Sequence, residues 1–115
     1  MKKFFVLFGI PAADMVEWAK KPEAERKPLE QKLMQEWNQW MNNHESFFVE
    51  KGGPLGKTKR VTGKGVADVK NDWNWHCIVQ ANSLEEAAQT FADHPQTKTI
   101  PSAYIEIMDM PQMGM

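Results

Sequence analysis

The sequence has little cysteine. Cys77 is the one cysteine among 115 residues, which excludes an internal disulfide and a thiol cluster for zinc. Such usage is typical of a reducing compartment, so we expect a cytoplasmic protein. Cys77 stands on a predicted strand, where its neighbour His76 faces the other way. With no cation beside it on that face, the thiol is expected to be buried and inert.

The sequence also lacks a surplus of either charge. The 14 Lys and Arg residues against 15 Asp and Glu residues give a formal net charge of −1. Nucleic-acid binders usually carry a basic surplus, and membrane-surface proteins a basic amphipathic face, so we predict neither partner. One basic cluster lies in a Gly-rich stretch and is interpreted as a solvated hairpin rather than an anion site; its residues are Lys57, Lys59, Arg60 and Lys64.

Motifs that hold cofactors or nucleophiles are missing as well. The chain has no phosphate loop, G-x-S-x-G, H-E-x-x-H or C-x-x-C, so we predict neither a metal nor a cofactor. The run GGPLG at 52–56 is not a dinucleotide fingerprint, because no helix follows it. It is interpreted as a turn that redirects the chain, with a backbone wall of a cleft as the alternative.

The N-terminus, MKKFFVLFGIPAA, allows two interpretations. Two lysines, an apolar run and small residues resemble a signal peptide. The run Phe4–Ile10 is short for that purpose, however, and Pro11 ends it. We favour a first strand over residues 3–9, apolar on both faces. No segment reaches transmembrane length.

Hydrophobic periodicity predicts a mixed order of strands and helices. The composition, 42% hydrophobic and 25% charged, predicts an ordered chain, with one domain over residues 1–110 and a flexible tail over 111–115. We predict helices over 11–21, 28–44 and from Ser83 to Pro95, and strands over 3–9, 47–50, 60–61, 65–69, 73–81 and 103–109, with a loop over 96–102. Ser83 followed three residues later by Glu86 is a capping-box pattern. In the strand over 73–81, alternation puts Trp75, Cys77, Val79 and Ala81 on one face. Pro22 and Pro28 are expected to bracket a charged linker.

This order predicts an α+β fold and a dimer. It is a ferredoxin-like βαββαβ pattern with an inserted hairpin, and both main helices would cover one face of the sheet. The first strand is apolar on both faces, and the last two are largely so. Because one helix layer cannot cover both faces, we expect a homodimer that stacks two sheets.

The three histidines are the candidate acid–base groups. His44 ends the long predicted helix, where a cation favours the helix dipole. His76 is mid-strand, either in the core or in a pocket, and His94 precedes Pro95 either as a helix cap or at a cleft. An imidazole near a carboxylate can transfer protons. We take His94 and then His76 as catalytic candidates, with Tyr104, Trp75, Gly53 and Pro54 as ligand contacts.

Four stretches resemble YCII-related (DGPF-type) proteins. They are GGPLGKTK at 52–59, IVQANSLEEA at 78–87, HP at 94–95 and IEIM at 105–108. The resemblance covers most of the chain from about Leu29, and it implies the dimeric α+β barrel fold. A branch resembling chlorinated hydroxymuconate dehydrochlorinases uses a histidine early in the first long helix and an aspartate before the proline. Here that helix stretch, 29–41, lacks histidine, and His94 precedes Pro95, so this dyad is not expected.

Two functions remain open from sequence. The first is a homodimeric small-molecule-binding protein or enzyme, with a cleft between sheet and helices. The second is a structural or regulatory interaction module without catalytic activity, whose own aromatic residues fill the pocket. The feature that points to the first hypothesis is the set of polar groups among aromatic residues, and we favour it because proteins of this fold family often enclose a cleft. The sequence does not decide whether the protein is an enzyme.

Overall fold

The computed structural model of the chain describes residues 1–111; the predicted tail falls almost wholly on residues 112–115, outside the described part. The described residues form a mixed α+β structure with four helices, antiparallel sheets and a short 3₁₀ turn at Glu45–Phe47. The elements in chain order are β1 Lys2–Gly9, α1 Ala12–Ala19, α2 Glu23–Asn43, β2 Phe48–Pro54, β3 Thr58–Thr62, β4 Gly65–Val69, β5 Trp73–Ala81, α3 Leu84–Thr90, α4 Pro95–Thr99 and β6 Tyr104–Asp109.

The main sheet has four strands in the order β2-β5-β1-β6, and every neighbouring pair is antiparallel. Alternation along the strands separates two faces, as predicted. One face carries Phe4, Val6 and Phe8 of β1 with Cys77 and Val79 of β5, all buried. Trp37 and Trp40 of α2, Ala87 of α3 and Phe91 at the C-cap of α3 cover this face and complete the core. The opposite face lies free of helices and is half-buried at best.

Helix α2 begins earlier than predicted. The stretch between Pro22 and Pro28 is the first turn and a half of the helix rather than a linker. Pro22 stands at the N-cap, and Glu23 and Glu25 place negative charge in the first turn, where it favours the helix dipole. Pro28 lies inside the helix, so one backbone hydrogen bond is missing there. The predicted helix start at Pro28 is therefore wrong, because proline occurs at a first helical turn and also, with the loss of one hydrogen bond, inside a helix.

Two further boundaries differ from the prediction. Strand β2 runs through the glycines to Pro54 instead of ending before them, because bulges between Phe48 and Gly53 absorb their irregular backbone. The stretch after His94, predicted as a loop, includes the short helix α4. The His94 ring accepts a hydrogen bond from the backbone N–H of Gln96 at 3.1 Å, so this histidine caps the start of a helix rather than the end of one.

The predicted hairpin is confirmed as β3–β4. It projects from the body: residues 59–68 are all exposed. The Cα radius of gyration, 16.0 Å, exceeds the roughly 13 Å of a compact chain of this length, which agrees with projecting parts. Among residues 1–111, no helix has the length and hydrophobicity to span a membrane.

Candidate ligand-binding cleft

An open cleft of about 820 Å³ lies between α1, α2, α4 and the ends of β2 and β5. Its volume falls within the range of small-molecule sites. Its walls come from α1, from α2 between Leu29 and Met41, from the ends of β2 and β5, and from α4 with the residues after it. The residues that line it are Ile10, Asp14, Met15, Glu17, Trp18, Lys21, Leu29, Glu30, Leu33, Met34, Trp37, Asn38, Met41, Pro54, Asn74, Trp75, Gln96, Thr99, Ile100 and Pro101.

Helix α2 reaches the core only through its C-terminal half. At 21 residues, a helix spans about 30 Å, and its buried residues are Trp37 and Trp40. The apolar stripe continues into the N-terminal half, which lines the cleft through Leu29 and Leu33. Leu29 and Met34 are 50% and 59% exposed.

Tryptophans form the inner wall. The rings of Trp37 and Trp75 are 5.3 Å apart, and Trp75 donates its indole N–H to the carbonyl of Lys51 at 3.3 Å. Pro54 lines the cleft beside them. Trp75 and Pro54 are thus the two predicted ligand contacts that the structure places in the cleft.

An amide pair gives the cleft its one buried polar element. Asn74 donates to the side-chain oxygen of Gln96 at 2.9 Å, and Gln96 donates back to Asn74 at 3.3 Å. Gln96 is 1% exposed, yet it borders the cleft. Sequence reasoning missed both residues, since an isolated Asn on a strand and a Gln after a proline carry no distinctive signal.

Charged groups lie only at the mouth of the cleft. The lining carboxylates belong to Asp14, Glu17 and Glu30, and the lining ammonium belongs to Lys21. Trp18 donates its indole N–H to Glu30 at 3.3 Å, which ties α1 to α2 across the mouth. Lys21 lies over the Trp18 ring at 5.6 Å. Within the lining, proton-transfer groups therefore face solvent rather than the apolar interior.

His94, the leading catalytic candidate, lies outside the cleft. It is fully buried, with its ring 4.5 Å from that of Trp37 and 4.7 Å from that of Trp40. Its Nδ1 accepts the Gln96 N–H, and its Nε2 has no hydrogen-bond partner. Burial lowers the pKa of His94 from 6.5 to about 4, against a smaller opposing effect of Asp93. A sealed, neutral imidazole packs the core and caps α4.

The remaining candidates lie on the other side of the sheet or beside it. His76 faces away from the helices and stacks near Phe5 with ring centroids 6.4 Å apart. Gly53 pairs with His76 on the neighbouring strand and does not line the cleft. Tyr104 lies against Gly9, where an added Cβ would come within 2.6 Å of its ring. The sheet thus separates the side chains of His76 and Tyr104 from Trp75 and Pro54, while Gly53 lies within the sheet next to Pro54.

Tyr104 belongs to a clamp centred on Asp72. One Asp72 oxygen accepts the Tyr104 hydroxyl at 2.6 Å, and the other accepts the backbone N–H of Ala12 at 3.0 Å. The Asp72 carbonyl also accepts the N–H of Ile10 at 2.9 Å. Because Ala12 begins α1, the clamp fixes the helix that forms the outer wall of the cleft. The hydrogen bond to Asp72 raises the pKa of Tyr104 to about 12.

No group of three or more His, Cys, Asp and Glu side chains in residues 1–111 could hold a metal ion. No protein-family model matches the sequence, and no curated protein matches it at a significant level. The likeness to YCII-related proteins therefore rests on the four sequence stretches alone.

Proposed function

We propose that this protein binds an apolar small molecule in the cleft between α1, α2 and the end of the sheet. The observation that supports this most is the open volume of about 820 Å³ among tryptophan, leucine and methionine side chains. Contiguous exposed apolar surface of this kind is rare on proteins without a binding role. The Asn74–Gln96 amide pair would orient a ligand through its unused N–H and carbonyl positions.

Binding is favoured over catalysis as the activity of this cleft. A general acid or base must reach the substrate, and the imidazole of His94 is sealed behind the core. The rival hypothesis of an interaction module requires a pocket filled by the protein's own aromatic residues. Trp37 and Trp75 form a wall and leave the space beside them open, which supports ligand binding instead.

A matched pair of variants tests the cleft. Leu33 lines it, while Gln31 lies on the same helix, exposed and outside the lining. The probe is 1-anilinonaphthalene-8-sulfonate, followed by its own emission and by tryptophan quenching. A carboxylate in an apolar site loses hydration worth well over 1.4 kcal/mol, so Leu33→Glu is expected to weaken binding by about tenfold or more. Gln31→Glu introduces the same charge and leaves the affinity unchanged within about twofold.

Either of two results would contradict the proposal. One is equal affinity of both variants for the probe. The other is a metabolite-library thermal-shift screen in which no apolar compound stabilises the native protein, although binding to the folded state must raise its melting temperature.

We also propose that the chain forms a homodimer of the ferredoxin-like, dimeric α+β barrel type, as the YCII-related resemblance implies. The helix-free face of the sheet supports this, because Phe5, Leu7 and Ile78 lie there half-buried and Met108 is 37% exposed. A second sheet packed on this face would remove them from water. Sedimentation equilibrium tests the dimer: Ile78→Asp is expected to dissociate it, and a native chain that stays monomeric at micromolar concentration would refute it.

A further inference from the structure

The β3–β4 hairpin is an unsupported projection. Its strands pair only with each other, from Thr58 with Val69 to Thr62 with Gly65. Val61 and Val66 lie opposite one another near the turn and are 75% and 64% exposed. A two-stranded hairpin on its own is marginally stable in water, so a surface on which it packs would account for its persistence.

Charge is segregated between the hairpin and the rest of the chain. Residues 57–70 contain five basic residues and one acidic residue, a net charge of +4. Since the whole chain has 14 basic and 15 acidic residues, the remainder has nine and fourteen, a net charge of −5. Opposite charges would attract the hairpin to the acidic remainder of the chain. The hairpin projects away from the body of its own chain, so it does not make this contact within one protomer.

The faces of the hairpin indicate a protein partner. Paired residues share a face, so Val61 and Val66 lie on the same side as Lys59 and Asp68. Lys59 Nζ is 2.6 Å from Asp68 Oδ1, so the two charges on this face of the hairpin neutralise each other. The part of the face near the turn, formed by Val61 and Val66, is apolar. A phosphate backbone would not bury two valines, whereas an interface core would.

The open sheet face also covers too little area by itself. Four strands of six to nine residues, about 4.8 Å apart and on average about 25 Å long, give a footprint on the order of 500 Å² per protomer, or ~1,000 Å² for both. A stable dimer buries about 1,200 Å² or more. Two projecting hairpins could supply the difference.

We propose that the β3–β4 hairpin is a docking arm, which packs its Val61–Val66 pair on the acidic body of a second copy of this chain, while the net positive charge of the hairpin attracts that body at longer range. The inference rests on the proposed homodimer. Each arm of a symmetric pair reaches the other protomer, so the contact occurs twice and closes. Attraction between the arm and the opposite protomer weakens in salt, so the dimer is expected to dissociate as ionic strength rises.

Three variants measured by sedimentation equilibrium separate the arm from the sheet face. Val61→Asp with Val66→Asp is expected to raise the dimer dissociation constant at least tenfold. Arg60→Glu with Lys64→Glu lowers the net charge of the arm from +4 to zero, so it is expected to do the same and to abolish the salt dependence. Lys27→Glu with Lys32→Glu makes the same charge change on exposed α2 positions and is the control, expected to stay within about threefold. Circular dichroism checks that each variant is folded. The main sheet and helices are expected to stay intact, because the hairpin strands pair only with each other.

Each outcome decides the matter. Arm variants that dimerise like the native chain, while Ile78→Asp dissociates, would overturn the arm and leave the dimer intact. A monomeric native chain would overturn the dimer and the arm together, with the cleft tested separately by the Leu33 probe assay. Heparin binding by a monomer, lost in Arg60→Glu with Lys64→Glu, would identify a polyanion as the occupant and also overturn the proposal.

Discussion

Acid is expected to destabilise this protein through His94. The ring is fully buried, and its Nδ1 accepts the N–H of Gln96, so the neutral ring carries its hydrogen on Nε2. Protonation would place a second hydrogen on Nδ1, facing a donor, and a charge among Trp37, Trp40 and Phe8. The unfolded chain has no such restriction and binds the proton freely.

The size of the effect follows from the two pKa values. His94 has a pKa of about 4 in the folded chain, against 6.5 for an unperturbed histidine. The unfolded state therefore binds more protons below pH 6.5, and stability falls as the pH falls from 6.5 towards 4. The free energy of unfolding is expected to drop by about 2 kcal/mol at pH 5, and by about 3 kcal/mol once the pH is below both pKa values.

Urea unfolding followed by tryptophan fluorescence at pH 7, 6 and 5 measures this loss. His94→Asn is the control, because asparagine also accepts the N-cap hydrogen bond but does not titrate. The variant is less stable throughout, since it leaves a cavity, and only its pH dependence is compared. The carboxylates contribute equally to the pH dependence of both proteins. Between pH 7 and pH 5, the free energy of unfolding should therefore fall by about 2 kcal/mol more for the native chain than for the variant. Equal slopes between pH 7 and 5 would refute the buried, neutral imidazole.

Three further predictions follow from single residues. Gly52 has φ of 71°, and an added Cβ would lie 1.6 Å from the carbonyl oxygen of His76, so Gly52→Ala should lower the free energy of unfolding in urea by about 3 kcal/mol or more. The control is Gly53→Ala, whose added Cβ meets nothing within 4 Å and should lower it by less than about 1 kcal/mol. Equal losses in the two variants would contradict the close approach of Gly52 to His76. Tyr104 is the one tyrosine of the chain, so absorbance at 295 nm reports its ionisation alone and should titrate with a midpoint near 12. Asp72→Asn should lower that midpoint towards 10, because the hydrogen bond to a carboxylate is lost. An unchanged midpoint would contradict the hydrogen bond between Tyr104 and Asp72. Burial raises the pKa of the Cys77 thiol to about 12, so 5,5′-dithiobis(2-nitrobenzoate) at pH 8 should react only after urea is added; rapid reaction of the folded protein would show an accessible thiol.

Local pattern predicted the regular elements well where it was strong. Two-residue alternation in β5 assigned Cys77 and Val79 to one face, and both are buried. Ser83 followed by Glu86 predicted a capped helix, and the Ser83 hydroxyl accepts the Glu86 N–H at 3.1 Å. These features depend on neighbours within a few residues, so the sequence contains them directly.

Boundaries at prolines were predicted less well. The pattern predicts a helix start at Pro28, whereas α2 begins at Glu23, and it predicts a loop after His94, where α4 lies. Proline is compatible with a helix start, a kink or a loop. Which of these occurs depends on whether the flanking residues find packing and capping partners, and those partners come from elsewhere in the chain.

Residue order alone predicts which side chains share a strand face or a helix stripe, and it predicted Trp75 and Pro54 as ligand contacts, both of which line the cleft. The sealing of His94 in the core and the position of Asn74 and Gln96 beside the cleft depend on tertiary packing. Periodicity orders side chains along one element but does not contain the relative positions of two elements. The cleft depends on those positions, because its lining comes from α1, α2, α4 and the ends of β2 and β5.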